Sequence, residues 1–170
     1  MTTVEQRTRK RYIYKSVASP VGRLKIVATD DGLAAILWER DRPGRVPLKL
    51  DAEASEHPVL LEAERQLQEY FAGTRRQFAL TLDVDGTAFQ RKVWSALLAI
   101  PFGETRSYSQ IAKAIGHPGA ARAVGAANGR NPVSIVAPCH RVIGSTGALT
   151  GFAGGLAVKA QLLALEAGAV

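Results

Sequence analysis

The feature that most constrains the fold is a change of hydrophobic period partway along the chain. From Tyr12 to Val17 and from Arg23 to Thr29, apolar and polar residues alternate, the pattern of half-buried strands. Ser19-Pro20-Val21-Gly22 joins these two runs as a turn, and Asp30-Asp31-Gly32 leads into a third run, Leu33 to Glu39. The prediction is an antiparallel meander. Arg40 to His57 is polar and carries two prolines, and reads as a loop. From Pro58 the period becomes helical. Leu60, Ala63, Leu67, Tyr70 and Phe71 fall on one face, and Gly73 ends the run. Phe78, Leu80, Leu82 and Val84 then alternate as a further strand.

Beyond residue 85 the chain reads as helices. Thr87 with Gln90, and Ser107 with Gln110, each have capping-box spacing. The first precedes Phe89, Val93, Leu97 and Ile100; the second precedes Ile111, Ala114 and Ile115. Gly116-His117-Pro118-Gly119 is a turn, followed by a short helix from Ala120 to Asn128. Two short helices across a glycine-containing turn outline either a helix-turn-helix or an ordinary helical hairpin. The second helix, with Ala121, Ala123 and Gly125 around Arg122, is slim. That suits close core packing or entry into a groove. Val133 to Ala137 reads as a short buried strand, and Gly144-Ser145-Thr146-Gly147 as a hairpin turn. Thr150 to Gly155 is a glycine-rich wall placed to approach a flat ligand, and Leu156 to Glu166 is a last helix. The division expected is a flexible basic tail over 1–11, an α/β domain over 12–85, and a helical domain over 86–170.

Charge follows the same division. Residues 1–85 carry 14 Lys/Arg and 13 Asp/Glu, whereas residues 86–170 carry 8 and 2. A second half with so few acids faces a polyanion or is a solvated basic face. No apolar run approaches a membrane span, and the N-terminus lacks the apolar core of a secretory signal. His57, His117 and His140 lie far apart with one cysteine, so no metal site is expected. That single cysteine fits a reducing, cytoplasmic setting.

The cysteine is Cys139, in Pro138-Cys139-His140-Arg141-Val142. An imidazole beside a thiol can take its proton and leave a reactive thiolate. The other reading is a small buried hydrophobe. Glu166 near a helix C-terminus is disfavoured by the helix dipole, which points to a specific partner.

Taken in order, Tyr108 in Ser107-Tyr108-Ser109-Gln110, Arg122 in Ala120-Ala121-Arg122-Ala123-Val124-Gly125, Asn131-Pro132, the Cys139 pentapeptide, Gly154-Gly155-Leu156, Lys159 and Glu166 resemble the O6-alkylguanine-DNA alkyltransferases. The resemblance runs from about Thr87 to Glu166. It extends more weakly over 12–85 to that family's ribonuclease-H-like domain. It implies an α/β protein of two small domains, the second a helical winged-helix-like unit carrying a helix-turn-helix. It also implies single-turnover repair of duplex DNA without a cofactor. A damaged guanine is flipped through the minor groove and its O6-alkyl group passes to Cys139; O4-alkylthymine is a further candidate substrate. By resemblance His140 is the base, acting through a water and oriented by Glu166, and Asn131 is the hinge before the active-site turn. Arg122 is the finger that enters the stack, and Ala121, Ala123 and Gly125 face DNA. Tyr108 presses on the adjacent phosphate and reaches guanine N3. Val142, Ser134, Phe152, Ala153, Gly154 and Lys159 form the pocket.

Many members have tyrosine at the position of Phe152, and some have proline at that of Ser134; both bear on substrate breadth. The expected partner is duplex DNA with alkylated guanine, bound by a protein that is monomeric in solution, with cooperativity on DNA left open. The competing reading is a non-catalytic winged-helix protein that recognises alkylated bases. A cysteine hydrolase is a further alternative, but no oxyanion-hole or cleavage motif supports it.

Overall fold

A computed structural model describes residues 9–168. The expected meander is present as β1 (Ile13–Val17), β2 (Leu24–Thr29) and β3 (Gly32–Trp38), each antiparallel to the next. One face of this sheet packs against helix α1 (Pro58–Phe71), whose Leu60, Ala63, Leu67 and Tyr70 close a core with Ile13, Leu24, Ile26 and Ile36. The alternating apolar positions of the strands and the 3.6-residue stripe of the helix meet there.

The segment read as a polar loop, 40–57, does more than connect. It carries a two-residue strand, β4 (Ala52–Glu53), parallel to β1, and gives the order β3-β2-β1-β4. Val46, Leu48 and Leu50 alternate across the second face of the sheet and cover Val27 and Ala35. Prolines and charges masked this period-2 run. The strand expected over 78–84 is reduced to an isolated bridge, Leu33 to Leu82. The segment passes the β3 edge with two hydrogen bonds, Leu33 N–H to Thr81 O and Asp83 N–H to Leu33 O, both under 3 Å. Gly32 is required at this crossing, because a Cβ would lie 2.6 Å from the Thr81 carbonyl oxygen.

The expected tail falls mostly on residues 1–8, outside the described residues. Its last residues are tied down: Arg9 pairs with Asp51 at 2.9 Å and Lys10 with Asp83 at 2.8 Å.

The second half is built from α2 (Ala88–Leu98), α3 (Tyr108–Ala114), α4 (Ala121–Gly129) and α5 (Leu156–Glu166). Both predicted capping boxes form, with Thr87 and Ser107 at the caps. Val93, Trp94, Leu97, Ile111, Val124 and Ala127 make a second core, and Cys139 and Val142 belong to it. A two-residue parallel ladder joins β5 (Arg106–Ser107) to β6 (Val142–Ile143) and sets Tyr108 beside the cysteine segment. The turn at 144–147 is present, closed by Gly147 N–H to Gly144 O, but no ladder of a hairpin flanks it.

Candidate functional site

Residues 133–137, expected as a strand, form a tight buried loop instead. The fully buried Asn131 holds both its ends. Its Oδ1 accepts from Val133 N–H at 3.1 Å, and its Nδ2 donates to Ala137 O at 2.8 Å. Between them Ile135 has φ of 76°, a left-handed conformation rare for a β-branched residue. Its side chain packs in the sheet core with Val133 and Val136, and Ile36 N–H donates to Pro132 O at 2.8 Å. Apolar content without ladder partners is what misled the strand prediction. The loop delivers the chain into a 3₁₀ turn, Cys139–Arg141, in which all three side chains are buried.

The turn aims His140 and Arg141 at the end of α5. His140 Nε2 lies 2.6 Å from Glu166 Oε2. Arg141 grips the same carboxylate with Nε at 2.7 Å and Nη2 at 3.0 Å, and donates to Ile100 O. Tyr70 of α1 donates to Glu166 Oε2 at 2.6 Å. This is the partner that a glutamate at a helix C-terminus demanded. Burial alone would raise the Glu166 carboxyl, but hydrogen bonds from His140 and Arg141 outweigh it and bring it down to about 2. Burial lowers His140 below the ordinary histidine value despite the opposing pull of Glu166, so the ring is neutral. A neutral ring that donates from Nε2 has an acceptor at Nδ1, and Nδ1 is buried with no partner among the described residues. In this tautomer Nδ1 can accept a proton.

Cys139 is buried, and desolvation raises its thiol, with Asn131 and Ser134 hydrogen bonds and the charges of Arg45 and Lys159 pulling down. The resting group is therefore a thiol, and it ionises only as a base takes its proton. Ser134 Oγ sits 4.0 Å from the sulfur and accepts from Trp38 Nε1 at 3.2 Å. Lys159, fully buried, donates to Val142 O at 2.6 Å and Thr150 O at 3.2 Å, joining the cysteine segment to the glycine-rich loop. Tyr108 bonds Thr150 Oγ1 at 2.7 Å from the other side.

One glycine of the glycine-rich wall has a packing cause within the protein. A Cβ on Gly154 would lie 2.9 Å from the Trp38 indole, so this residue must be glycine for the loop to pack on Trp38. Phe152 packs on the same indole edge-on at 5.4 Å, and Ala153 adjoins the sheet core.

On α4, Val124, Ala127 and Asn128 are buried, while Arg122 and Ala123 are exposed and Ala121 and Gly125 half-buried. Arg122 makes no hydrogen bond or ion pair among the described residues. Gly125 passes the Tyr108 ring, its notional Cβ 3.7 Å away. The end of α4 is anchored by Arg45, which donates to Gly129 O at 3.1 Å and Asn131 O at 2.9 Å while Asp41 holds its other nitrogens.

The structure thus brings Cys139, His140, Glu166, Asn131, Ser134, Val142 and Lys159 into one buried cluster. Tyr108 reaches it through Thr150, and Arg122 stands apart on the exposed helix. Sequence reading missed Arg141, Tyr70, Arg45 and Trp38. Arg141 lay inside the singled-out pentapeptide, and an arginine that close to a lone thiol was the available signal. Tyr70 has the sequence signature of core only, and Arg45 lies in a segment with the composition of a loop. Among the described residues no three His, Cys, Asp or Glu side chains cluster as a metal site, and no helix is long and apolar enough to cross a membrane.

A fold of this kind, a sheet-and-helix unit followed by a helical unit that holds a buried cysteine, matches known proteins along most of its length. The family model for the 6-O-methylguanine DNA methyltransferase DNA binding domain matches residues 88–168, and that for the ribonuclease-like domain matches residues 12–84. The chain belongs to the 6-O-methylguanine DNA methyltransferase family. It is 48% identical to the methylated-DNA–protein-cysteine methyltransferase of Mycobacterium leprae, covering 89% of this chain and 90% of the relative. It is also 48% identical to the constitutive methylated-DNA–protein-cysteine methyltransferase of Bacillus subtilis, covering 90% and 94%. The crystal structure of Mycobacterium tuberculosis OGT in complex with DNA superposes with a TM-score of 0.81 at 46% identity, covering 92% of this chain and 93% of that one.

Proposed function

We propose that this protein repairs alkylated DNA directly, with Cys139 as the acceptor. The observation that carries the reading is the buried His140–Glu166 pair, with an imidazole acceptor left free next to the only thiol in the chain. The Cys139 proton passes through water to His140 Nδ1. The sulfur forms a bond to the alkyl carbon as the carbon–O6 bond of guanine breaks. The proton returns to the guanine, which leaves as the neutral base. Sulfur suits attack on a soft alkyl carbon, and the thioether formed has no easy reversal, so each molecule acts once. Glu166 is held ionised by Arg141 and Tyr70, and stabilises the imidazolium while the proton is in transit.

A stacked, paired guanine hides its O6, so the base must be flipped into the site. Helix α4 supplies the exposed small side chains for a minor groove, and Arg122 the side chain to fill the gap in the stack. The few acids of the second half serve internal pairs, Glu104 with Arg106 and Glu166 with Arg141, which leaves its basic face to phosphate. Residues 12–85 form the scaffold and 86–170 the reacting domain. The protein acts as a monomer in the cytoplasm. A protein that merely recognised damaged bases would have no use for a buried thiol in the same turn as a neutral imidazole backed by a carboxylate.

Cys139→Ser tests the assignment. It should abolish loss of methyl from O6-methylguanine duplex DNA and leave DNA binding nearly unchanged, since oxygen is the weaker nucleophile and the volume is conserved. Transfer near the wild-type rate would sink the assignment.

A further inference from the structure

The mechanism above leaves one buried group beside the sulfur without a task. Ser134 is fully buried, with its hydroxyl 4.0 Å from Cys139 Sγ. On its other side it accepts from Trp38 Nε1 at 3.2 Å. We propose that Ser134, held by Trp38, is a positioning residue for the Cys139 sulfur: its hydroxyl accepts from the thiol at rest and donates to the sulfur once the proton has left. The proposal rests on Cys139 being the acceptor.

The chemistry follows from counting. A hydroxyl has one hydrogen to give and two lone pairs. The indole N–H occupies one lone pair permanently, because Trp38 has nowhere to turn. It ends β3, its backbone N–H bonds Asp41, Phe152 abuts its ring edge-on, and the Gly154 backbone lies against its face. The remaining lone pair and the O–H are left for the sulfur. A thiol donates weakly and a thiolate accepts strongly, so rotation of one hydroxyl serves both states. Donation from the indole also polarises the hydroxyl toward giving its own hydrogen. Trp38 is contributed by the sheet domain, so that domain enters the electrostatics of the reacting atom as well as the packing of the site.

The other groups that act on the sulfur are Asn131, which hydrogen-bonds to it, and the charges of Arg45 from the β3–β4 connection and Lys159 from α5. Asn131 is already committed to Val133 N–H and Ala137 O, so it does not substitute for the Ser134 hydroxyl. An alanine there keeps the volume and removes the donor. A phenylalanine at 38 keeps an aromatic ring and removes the N–H that fixes the hydroxyl.

The test uses the full chain and its single cysteine. Thiolate ultraviolet absorbance is titrated with pH for wild type, Ser134→Ala and Trp38→Phe, each blanked against the same protein carrying Cys139→Ser. Single-turnover transfer from an O6-methylguanine duplex is followed over the same range, and thermal melting confirms folding. Ser134→Ala should move the thiol midpoint upward and slow transfer about tenfold at neutral pH, the rate recovering toward wild type above the raised midpoint. Trp38→Phe should shift the midpoint the same way by less, and answers the question if the alanine variant fails to fold. An unchanged midpoint in both variants, or a rate loss equal at every pH, overturns the proposal. The titration needs no DNA, so a shifted midpoint in a protein that transfers nothing would count against the repair reading and leave the Ser134 role standing.

Discussion

Glu166→Gln is the substitution whose cost the structure defines best. The carboxylate accepts from His140 and Tyr70 at 2.6 Å each and from Arg141 at 2.7 and 3.0 Å. A glutamine offers one acceptor where there were two and turns an NH2 toward groups that are themselves donors. Arg141 is left as a buried cation without its counter-charge, a loss of about 3–5 kcal/mol. A second route gives a similar size. The Glu166 carboxyl is lowered from 4.5 to about 2, and at about 1.4 kcal/mol per pKa unit this corresponds to about 3 kcal/mol. The sign is that of a depressed acid: the contribution is complete above pH 4.5 and drains away as pH falls toward about 2. Urea unfolding of both proteins across that range isolates it, because other lowered carboxyls, such as Asp51, Asp83 and Glu62, cancel in the difference. The gap should be about 3 kcal/mol at neutral pH and shrink on acidification. A neutral-pH gap under about 1 kcal/mol, or one that stays constant as pH falls, would refute this account of the carboxylate as the site's anchor.

His140→Ala and Glu166→Gln should each slow transfer, and the double variant should be little slower than the worse single, since members of one relay act as a unit; single-turnover rates that lose activity additively would separate them. Arg122→Ala should slow repair of duplex DNA far more than reaction with free O6-alkylguanine, which needs no flipping; equal losses on the two substrates would remove the finger role. Gly154→Ala should cost roughly 1–3 kcal/mol in urea unfolding, because its Cβ would sit 2.9 Å from the Trp38 indole; an unchanged midpoint would mean that the loop moves freely. Methylation of Cys139 should lower the melting temperature, since a carbon added in a close-packed core overfills it by a comparable amount; a midpoint that holds or rises would contradict that.

Much of this was legible where local chemistry acts alone. Thr87 and Ser107 announce their helices because a capping box is satisfied within three residues. The meander shows because alternation repeats over each strand. The glutamate at the end of α5 signalled a partner through its conflict with the helix dipole. The failures share a different cause. Val133 to Ala137 has the composition of a strand, but its sheet pairing stops at one bridge to Ile36, and its ends bond each other and the Asn131 side chain. The Trp38 indole packs against Gly154 from more than a hundred residues away, a contact that no local pattern announces. Arg45, Tyr70 and Trp38 belong to the site only because the sheet domain folds against it. Nothing in their local sequence marks them.

The central claim, that Cys139 is the atom that takes the alkyl group, meets its most direct test in intact mass. The protein is mixed with duplex DNA carrying one O6-methylguanine, weighed, and digested to locate the change. The account predicts a gain of one methyl in place of the thiol proton, carried by the peptide containing Cys139, with the DNA returned to guanine and no further turnover from that molecule. An unchanged mass while the DNA is repaired, or a methyl found on any other residue, would contradict it.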